Sequence, residues 1–216
     1  LIDGKMISAI VQAREDSSRL PNKVLKKIIN KENSISLIIK RLNKSKYIKK
    51  IIIAVPHESK KFDYLKKKFK NIELFKGKKH NVLDRYYSAA SFFNVTTVVR
   101  ITSDCPLIDF RLLDKMIKNF KKLKVNYYSN CITRTFPDGY DIEIFDFKSL
   151  FFAYKNAKSL YDKEHVTSYL MKSKKIKKSN YIVSPNLYFL RCTLDDINDL
   201  KFIRKIYRFF APKIYF

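Results

Sequence analysis

Glycine is scarce in this chain. Three occur among 216 residues, at Gly4, Gly77 and Gly139. Neither G-x-G-x-x-G nor G-x-x-x-x-G-K-S/T can be written with three scattered glycines, which excludes the Gly-rich loops that wrap nucleotide phosphates through backbone N–H groups. Cysteine is as sparse. Cys105, Cys131 and Cys192 are odd in number and far apart, with no C-x-x-C pair. That argues against a disulfide framework or a zinc knuckle and fits a reducing cytoplasm. Tryptophan is absent, and no apolar run reaches the ~18 residues that span a bilayer. No signal-peptide pattern is visible. Acid is also short: 20 Asp plus Glu stand against 46 Lys plus Arg, a formal net charge of +26.

What is present suffices for a core. Hydrophobic residues make up 46% of the chain, which excludes disorder despite the charge. At this length one domain is the default. The charge invites a nucleic-acid or anionic-membrane surface. Only ten of the cations are Arg, however, and Lys runs such as Lys66-Lys67-Lys68 and Lys174-Lys175 read as solvated faces of amphipathic segments. A Lys-rich composition therefore explains most of the charge. A non-enzymatic basic module, motivated by the cationic segment Arg204-Lys205-Ile206-Tyr207-Arg208, stands as one alternative. Residues 1–5 precede Met6 and read as a cloning remnant.

Apolar, β-branched runs predict strands at 6–13, 51–55, 71–75 and 96–102. Helical spacing predicts helices at 34–44 (with Ser34 as N-cap), 61–69, 82–93 and 112–122. Strands at 126–131 and 140–145 follow, around a turn at Pro137-Asp138-Gly139. Helices at 147–158 and 164–172, strands at 181–184 and 188–194, and a helix at 196–209 complete the chain. Strand–helix alternation predicts an α/β fold with a mostly parallel sheet, extended by an antiparallel excursion at about 126–146. Ligands in such sheets bind at the carboxyl ends of the strands.

Two charged loops fall at such ends. Arg14, Arg19 and Lys23 lie just after the first strand, with Ser17 and Ser18 beside them. Such a loop can neutralise a triphosphate, its side chains doing what glycine-flanked backbone does elsewhere. A plain solvated basic loop is the competing reading. Asp104 follows the 96–102 strand and precedes a proline turn, a suitable place for a Mg²⁺ ligand. Asp195 could supply a second carboxylate, while Asp196 reads better as a helix N-cap. Asn81 reads as another N-cap, with Asp84 and Arg85 an exposed pair behind it. Asp138, Asp141 and Glu143 occupy the turn and following strand, and the last two, spaced by two, share a strand face. His165 suits either a core or a helix-terminal position.

Residues 12–25, Q-A-R-x-x-S-x-R-L-P-x-K-V-L, resemble the signature of the cytidylyltransferases that make CMP-activated sugar acids, notably CMP-Kdo synthetase. The whole chain more closely resembles the spore-coat polysaccharide biosynthesis protein F group of that superfamily. Stretches 12–25, 81–87, 99–109, 136–145, 164–167 and 194–200 carry the likeness in order, over about 6–207. The resemblance implies a GT-A-like nucleotide-diphospho-sugar transferase fold, an α/β/α sandwich with a mixed, mainly parallel sheet. It implies one nucleotidyltransferase domain over 6–210, then a basic and aromatic tail at 211–216. The implied reaction takes CTP and a sugar acid or related polar acceptor to a CMP-linked product and pyrophosphate, with Mg²⁺, in surface-polysaccharide synthesis. By position, Arg14, Arg19 and Lys23 would hold the triphosphate, with Gln12, Ala13 and Ser17 alongside. Asp104 and Asp195 would ligate Mg²⁺, and Asp84 and Arg85 would lie near the nucleotide. Arg100, Asp138, Asp141, Glu143 and His165 would surround the acceptor. A cytoplasmic homodimer joined around residues 140–145, with no specific nucleic-acid partner, completes the expectation. Asn22 and Ser103 stand where the pattern has glycine, and Asp196-Ile197-Asn198 replaces an acid-Pro-acid turn. A GT-A glycosyltransferase is a further alternative, but it would carry D-x-D where this chain has Ser103-Asp104-Cys105-Pro106.

Overall fold

The computed structural model describes residues 6–213 and Tyr215. The proposed cloning remnant at 1–5, and positions 214 and 216 of the tail, lie outside the described residues. A seven-stranded sheet runs in the order Ile72–Gly77, Lys50–Pro56, Ile7–Gln12, Thr97–Thr102, Glu143–Asp146, Tyr127–Ser129, Lys178–Asn180. Its parallel half is β1 (Ile7–Gln12), β4 (Lys50–Pro56), β5 (Ile72–Gly77) and β6 (Thr97–Thr102). The excursion is β7 (Tyr127–Ser129) and β8 (Glu143–Asp146), with β8 antiparallel to both β6 and β7. β9 (Lys178–Asn180) closes the edge, parallel to β7. The mixed, mainly parallel sheet is thus as expected.

β1 and β4 are buried on both faces, so β4 reads as an apolar run from Ile51 to Val55, and β1 as an apolar run interrupted by the buried Ser8, rather than as alternations. Ala9 and Val11 join a core beneath α1 (Ser34–Leu42), α2 (Tyr64–Lys68) and α4 (Phe110–Lys122). Ile10 and Ile52 join a second core beneath α3 (Val82–Phe92), α5 (Phe147–Asn156) and α7 (Ser168–Lys172). In α4 the buried residues Leu113, Met116 and Ile117 fall at i, i+3 and i+4, one stripe of an otherwise basic helix. A third cluster packs α8 (Ile197–Phe209) against Leu20, Leu107 and Leu194. It is this cluster that draws α8 to the side of the sheet where the loop after β1 lies.

The structure corrects several sequence expectations. The N-cap of α1 is Asn33, whose side chain accepts the Ser36 N–H, while Ser34 Oγ donates to the Ser103 carbonyl at 2.6 Å. The helix expected over 164–172 is two, α6 (Leu160–His165) and α7, broken at Val166 with φ 56°. A short hairpin, β2 (Lys27–Ile29) with β3 (Glu32–Asn33), turns at Asn30 in the left-handed region. Residues 181–194 form no strand; an isolated bridge joins Arg191 to Asp138. The apolar run Tyr188, Phe189 and Leu190 is exposed, with no ladder partner to make it a strand.

Candidate active site

The site grows from the adjacent carboxyl ends of β1 and β6. Gln12 and Thr102 are register partners there, and the Ser103 N–H carries the pairing on to the Gln12 carbonyl at 3.2 Å. The chain then loops out from β1 and returns at Asn22, whose N–H reaches the Glu15 carbonyl at 3.1 Å. Asn22 has φ 54°, a left-handed conformation in which Asn is the best substitute for the glycine of the related pattern. One 3₁₀ turn, Lys23–Leu25, follows with Val24 buried. That anchor aims Lys23 inward. Its Nζ donates to Asp104 Oδ2 at 2.9 Å and to Asp195 Oδ1 at 2.6 Å.

Asp195 reaches this point by a chain of backbone bonds. The Cys192 N–H donates to the Asp138 carbonyl at 2.7 Å, and the Leu194 N–H to the Asp104 carbonyl at 2.8 Å. Residues 192–194 therefore run from the 137–139 turn to the end of β6. Asp196 is the N-cap of α8, as read from the sequence, and Asp199 completes a capping box. The Asp195 N–H donates to Asp199 Oδ2 at 2.8 Å, which fixes Asp195 just ahead of the helix. Gly139 is what lets the two segments approach. Its φ is 106°, and an added Cβ would lie 2.6 Å from the Cys192 carbonyl carbon. Gly139→Ala is expected to cost ~2–4 kcal/mol and to displace Asp195 as well, so thermal stability and activity should both fall. An unchanged Tm would refute the close approach.

Burial alone would raise the Asp195 pKa, but Lys23, Arg191 and Arg19 more than offset it and hold the carboxyl below its usual range. Burial likewise disfavours the Lys23 ammonium, and Asp104 and Asp195 outweigh it, so Lys23 is held above its usual range. Arg19 Nη2 lies 3.1 Å from Asp195 Oδ2. Among the described residues no group of three or more His, Cys, Asp or Glu is placed to hold a metal. The carboxylates that could hold Mg²⁺ are Asp104 and Asp195, which share the Lys23 ammonium, since that ion usually takes one or two carboxylates, waters and substrate phosphates.

A cleft of about 160 Å³ brings together Gln12, Ala13, Arg14, Lys23 and Asp104 with Arg85 of α3 and His165 of α6. Arg85 is buried at 2% exposure. Its stem lies over Gly77, where a Cβ would meet Arg85 Cγ at 2.9 Å. Its Nη1 donates to the Lys78 carbonyl at 2.6 Å, while its Nε has no partner and burial lowers its pKa. Arg85 is therefore no exposed partner of Asp84, which pairs with Lys78 at 3.1 Å. Gln12 Oε1 is also buried without a partner. Arg14 is exposed and 3.7 Å from Glu164, and Ser17 shares a shallow neighbouring depression with it. His165 is exposed at the end of α6, in neither a core nor a helix N-terminal position, with its ring 4.3 Å from that of Tyr161.

The residues expected around an acceptor divide into two sets. Arg100 and Glu143 are cross-strand partners on β6 and β8 and form a buried ion pair. Asp141 precedes β8 and is gripped by Arg134, with Nη1 and Nη2 each 3.0 Å from a carboxylate oxygen. Asp141 and Glu143 thus do not share a strand face, because β8 begins only at Glu143. Asp138 lies 3.5 Å from Arg191 and 3.9 Å from Arg134, and burial followed by Asp141 pushes its pKa up. Sequence reasoning passed over Arg134 and Arg191. The available signal was their type: arginine is rare here, and six of the ten lie around this site, at 14, 19, 85, 100, 134 and 191.

A helix-flanked, mainly parallel sheet with a cationic loop and paired carboxylates at its carboxyl edge defines an α/β enzyme of the nucleotidyltransferase class. The family model described as cytidylyltransferase matches residues 8–205, and the chain belongs to that family. It is 35% identical over 210 residues to "Uncharacterized protein MJ1063" of Methanocaldococcus jannaschii, covering 94% of this chain and 84% of that one. It is 26% identical over 212 residues to "Spore coat polysaccharide biosynthesis protein SpsF" of Bacillus subtilis, covering 92% and 85%. A solved cytidylyltransferase from Leptospira borgpetersenii superposes with a TM-score of 0.91 at 28% identity, over 98% of this chain and 90% of that one. Among the described residues no helix is long and apolar enough to cross a membrane.

Proposed function

We propose that this cytidylyltransferase transfers CMP from CTP to a small polar acceptor, a sugar acid or related compound, with release of pyrophosphate, and that it serves surface-polysaccharide synthesis. The observation that carries the reading is Lys23, held between Asp104 and Asp195 at the foot of a loop that also bears Arg14 and Arg19. Transfer to phosphorus needs positioning and charge neutralisation more than a covalent nucleophile. Arg14, Arg19 and Lys23 neutralise the triphosphate and the charge that develops on the leaving pyrophosphate. Arg85, without a carboxylate partner among its described contacts, offers its remaining donors to the nucleotide, and Gln12 offers an unused acceptor. Asp138 and Asp141 would face the acceptor. Asp104 and Asp195 would hold Mg²⁺, which supplies Lewis-acid polarisation of the phosphate oxygens. The reading includes one domain over 6–210 and a cytoplasmic setting.

Thermal shift and calorimetry with CTP, UTP and ATP, with and without Mg²⁺, test it. CTP with Mg²⁺ is expected to raise Tm most, and a panel of sugar acids and sugar phosphates should reveal acceptor-dependent pyrophosphate release. Absence of nucleotide binding would overturn the proposal.

A further inference from the structure

Arg191 has no role in the reading above, yet its guanidinium touches three carboxylates. Nε and Nη2 meet the two oxygens of Asp199 at 2.9 and 3.0 Å. Nη2 also reaches Asp195 Oδ2 at 2.9 Å, and Nη1 lies 3.5 Å from Asp138 Oδ2. Asp199 is itself fixed, because it accepts the Asp195 and Asp196 N–H groups at the start of α8. Arg191 is therefore a rigid strut. It is anchored bidentately to a helix terminus and holds one oxygen of Asp195. The other oxygen, Oδ1, is thereby turned to the side that Lys23 and Asp104 share.

Resting on the cytidylyltransferase reading, we infer that Arg191 is the positioning residue for Asp195. It fixes the orientation of the Asp195 carboxylate, which would hold the divalent cation, and it ties that carboxylate to Asp138. Arginine is required for the geometry. A planar guanidinium can grip Asp199 with two donors and still direct a third bond at Asp195, whereas an ammonium is a point charge without fixed directions. Partners that orient a metal ligand are typically worth 10–100-fold in metal affinity.

The test uses Mn²⁺ as a spectroscopic substitute, with free Mn²⁺ quantified by electron paramagnetic resonance in the presence of CTP and no acceptor. Arg191→Lys is expected to weaken Mn²⁺ binding by about 10–100-fold while CTP affinity in EDTA stays within about twofold of the parent. In the pyrophosphate assay the Mg²⁺ needed for half-maximal rate should rise in step, and saturating Mg²⁺ should restore most of kcat. A merely structural residue would not give that split. Asp199→Asn, which keeps one oxygen to cap α8 but weakens the anchor, should give a smaller loss in the same direction; it decides the matter if Arg191→Lys fails to fold. Parent-like Mn²⁺ affinity in a folded variant overturns the inference alone. A parent protein that takes up neither CTP nor Mn²⁺ overturns the functional reading and this inference with it.

Discussion

Asp104→Asn is expected to abolish CTP-dependent pyrophosphate release, a loss of about 1,000-fold or more, while the protein stays folded. About 4 kcal/mol of transition-state stabilisation corresponds to such a loss. On the proposed reading Asp104 is one of the two carboxylates that would hold the divalent cation, and the substitution removes its charge from the site. The fold is spared for a specific reason. The bond that ties Asp104 to the 192–194 segment runs from the Leu194 N–H to the Asp104 main-chain carbonyl, which the substitution leaves in place. An Asn amide oxygen can still accept from Lys23, so the ammonium is not stranded. Circular dichroism should therefore match the parent, and Tm should fall only modestly, because Lys23 keeps Asp195 as its counter-charge. Turnover within tenfold of the parent would remove Asp104 from the metal role. Loss of turnover together with loss of folding would show that the side chain holds the turn instead.

The parts of this molecule legible in its sequence are those where one physical rule acts alone. Ile51, Ile52 and Ile53 belong to a central parallel strand covered on both faces, and nothing but such a strand or a buried helix gives an apolar run that short before a proline. The charged stretches after β1 and β6 were legible for the same reason, because cations and a carboxylate immediately after a buried strand must lie at its open end. Residues 188–194 failed because local pattern and tertiary context disagree. Their aromatic run suits a strand, but β9 already ends the sheet with a short, Lys-bearing edge. The break at Val166 carries no glycine or proline signal. Asp141 and Glu143 were misgrouped because the period-two rule holds only inside a strand, and β8 starts one residue after Ile142. The meeting of Lys23 and Asp195, 172 positions apart, depends on the third hydrophobic cluster and on backbone bonds between loops. No local spacing encodes it.

Glu143→Ala is expected to be the most destabilising single change in the molecule's ion-pair network, costing about 3–5 kcal/mol. Glu143 is 3% exposed and opposite Arg100 in the sheet. Tyr127 Oη donates to its Oε1 at 2.6 Å and Thr167 Oγ1 at 2.7 Å, so β7 and the α6–α7 junction are also fastened to this carboxylate. Removing it leaves the Arg100 guanidinium, already with an unpartnered Nε, buried without a counter-charge. Two hydroxyls lose their acceptor as well. Denaturant melts should show a lower midpoint with the slope unchanged. Replacing both partners by Met removes the stranded charge, and that double variant should be more stable than Glu143→Ala, which separates charge burial from lost packing. pH provides an independent check. Burial acts to raise the Glu143 pKa, but Arg100 followed by Tyr127 and Thr167 outweighs it, so the folded value lies below the usual carboxylate range. The pair's contribution is then fully present above the unfolded value of 4.5 and is lost as pH falls through the lower folded value. The stability gap between the parent and Glu143→Gln should accordingly be constant near neutrality and shrink in acid. A gap that widens in acid would mean that Glu143 is protonated in the fold and that Arg100 is held by something else.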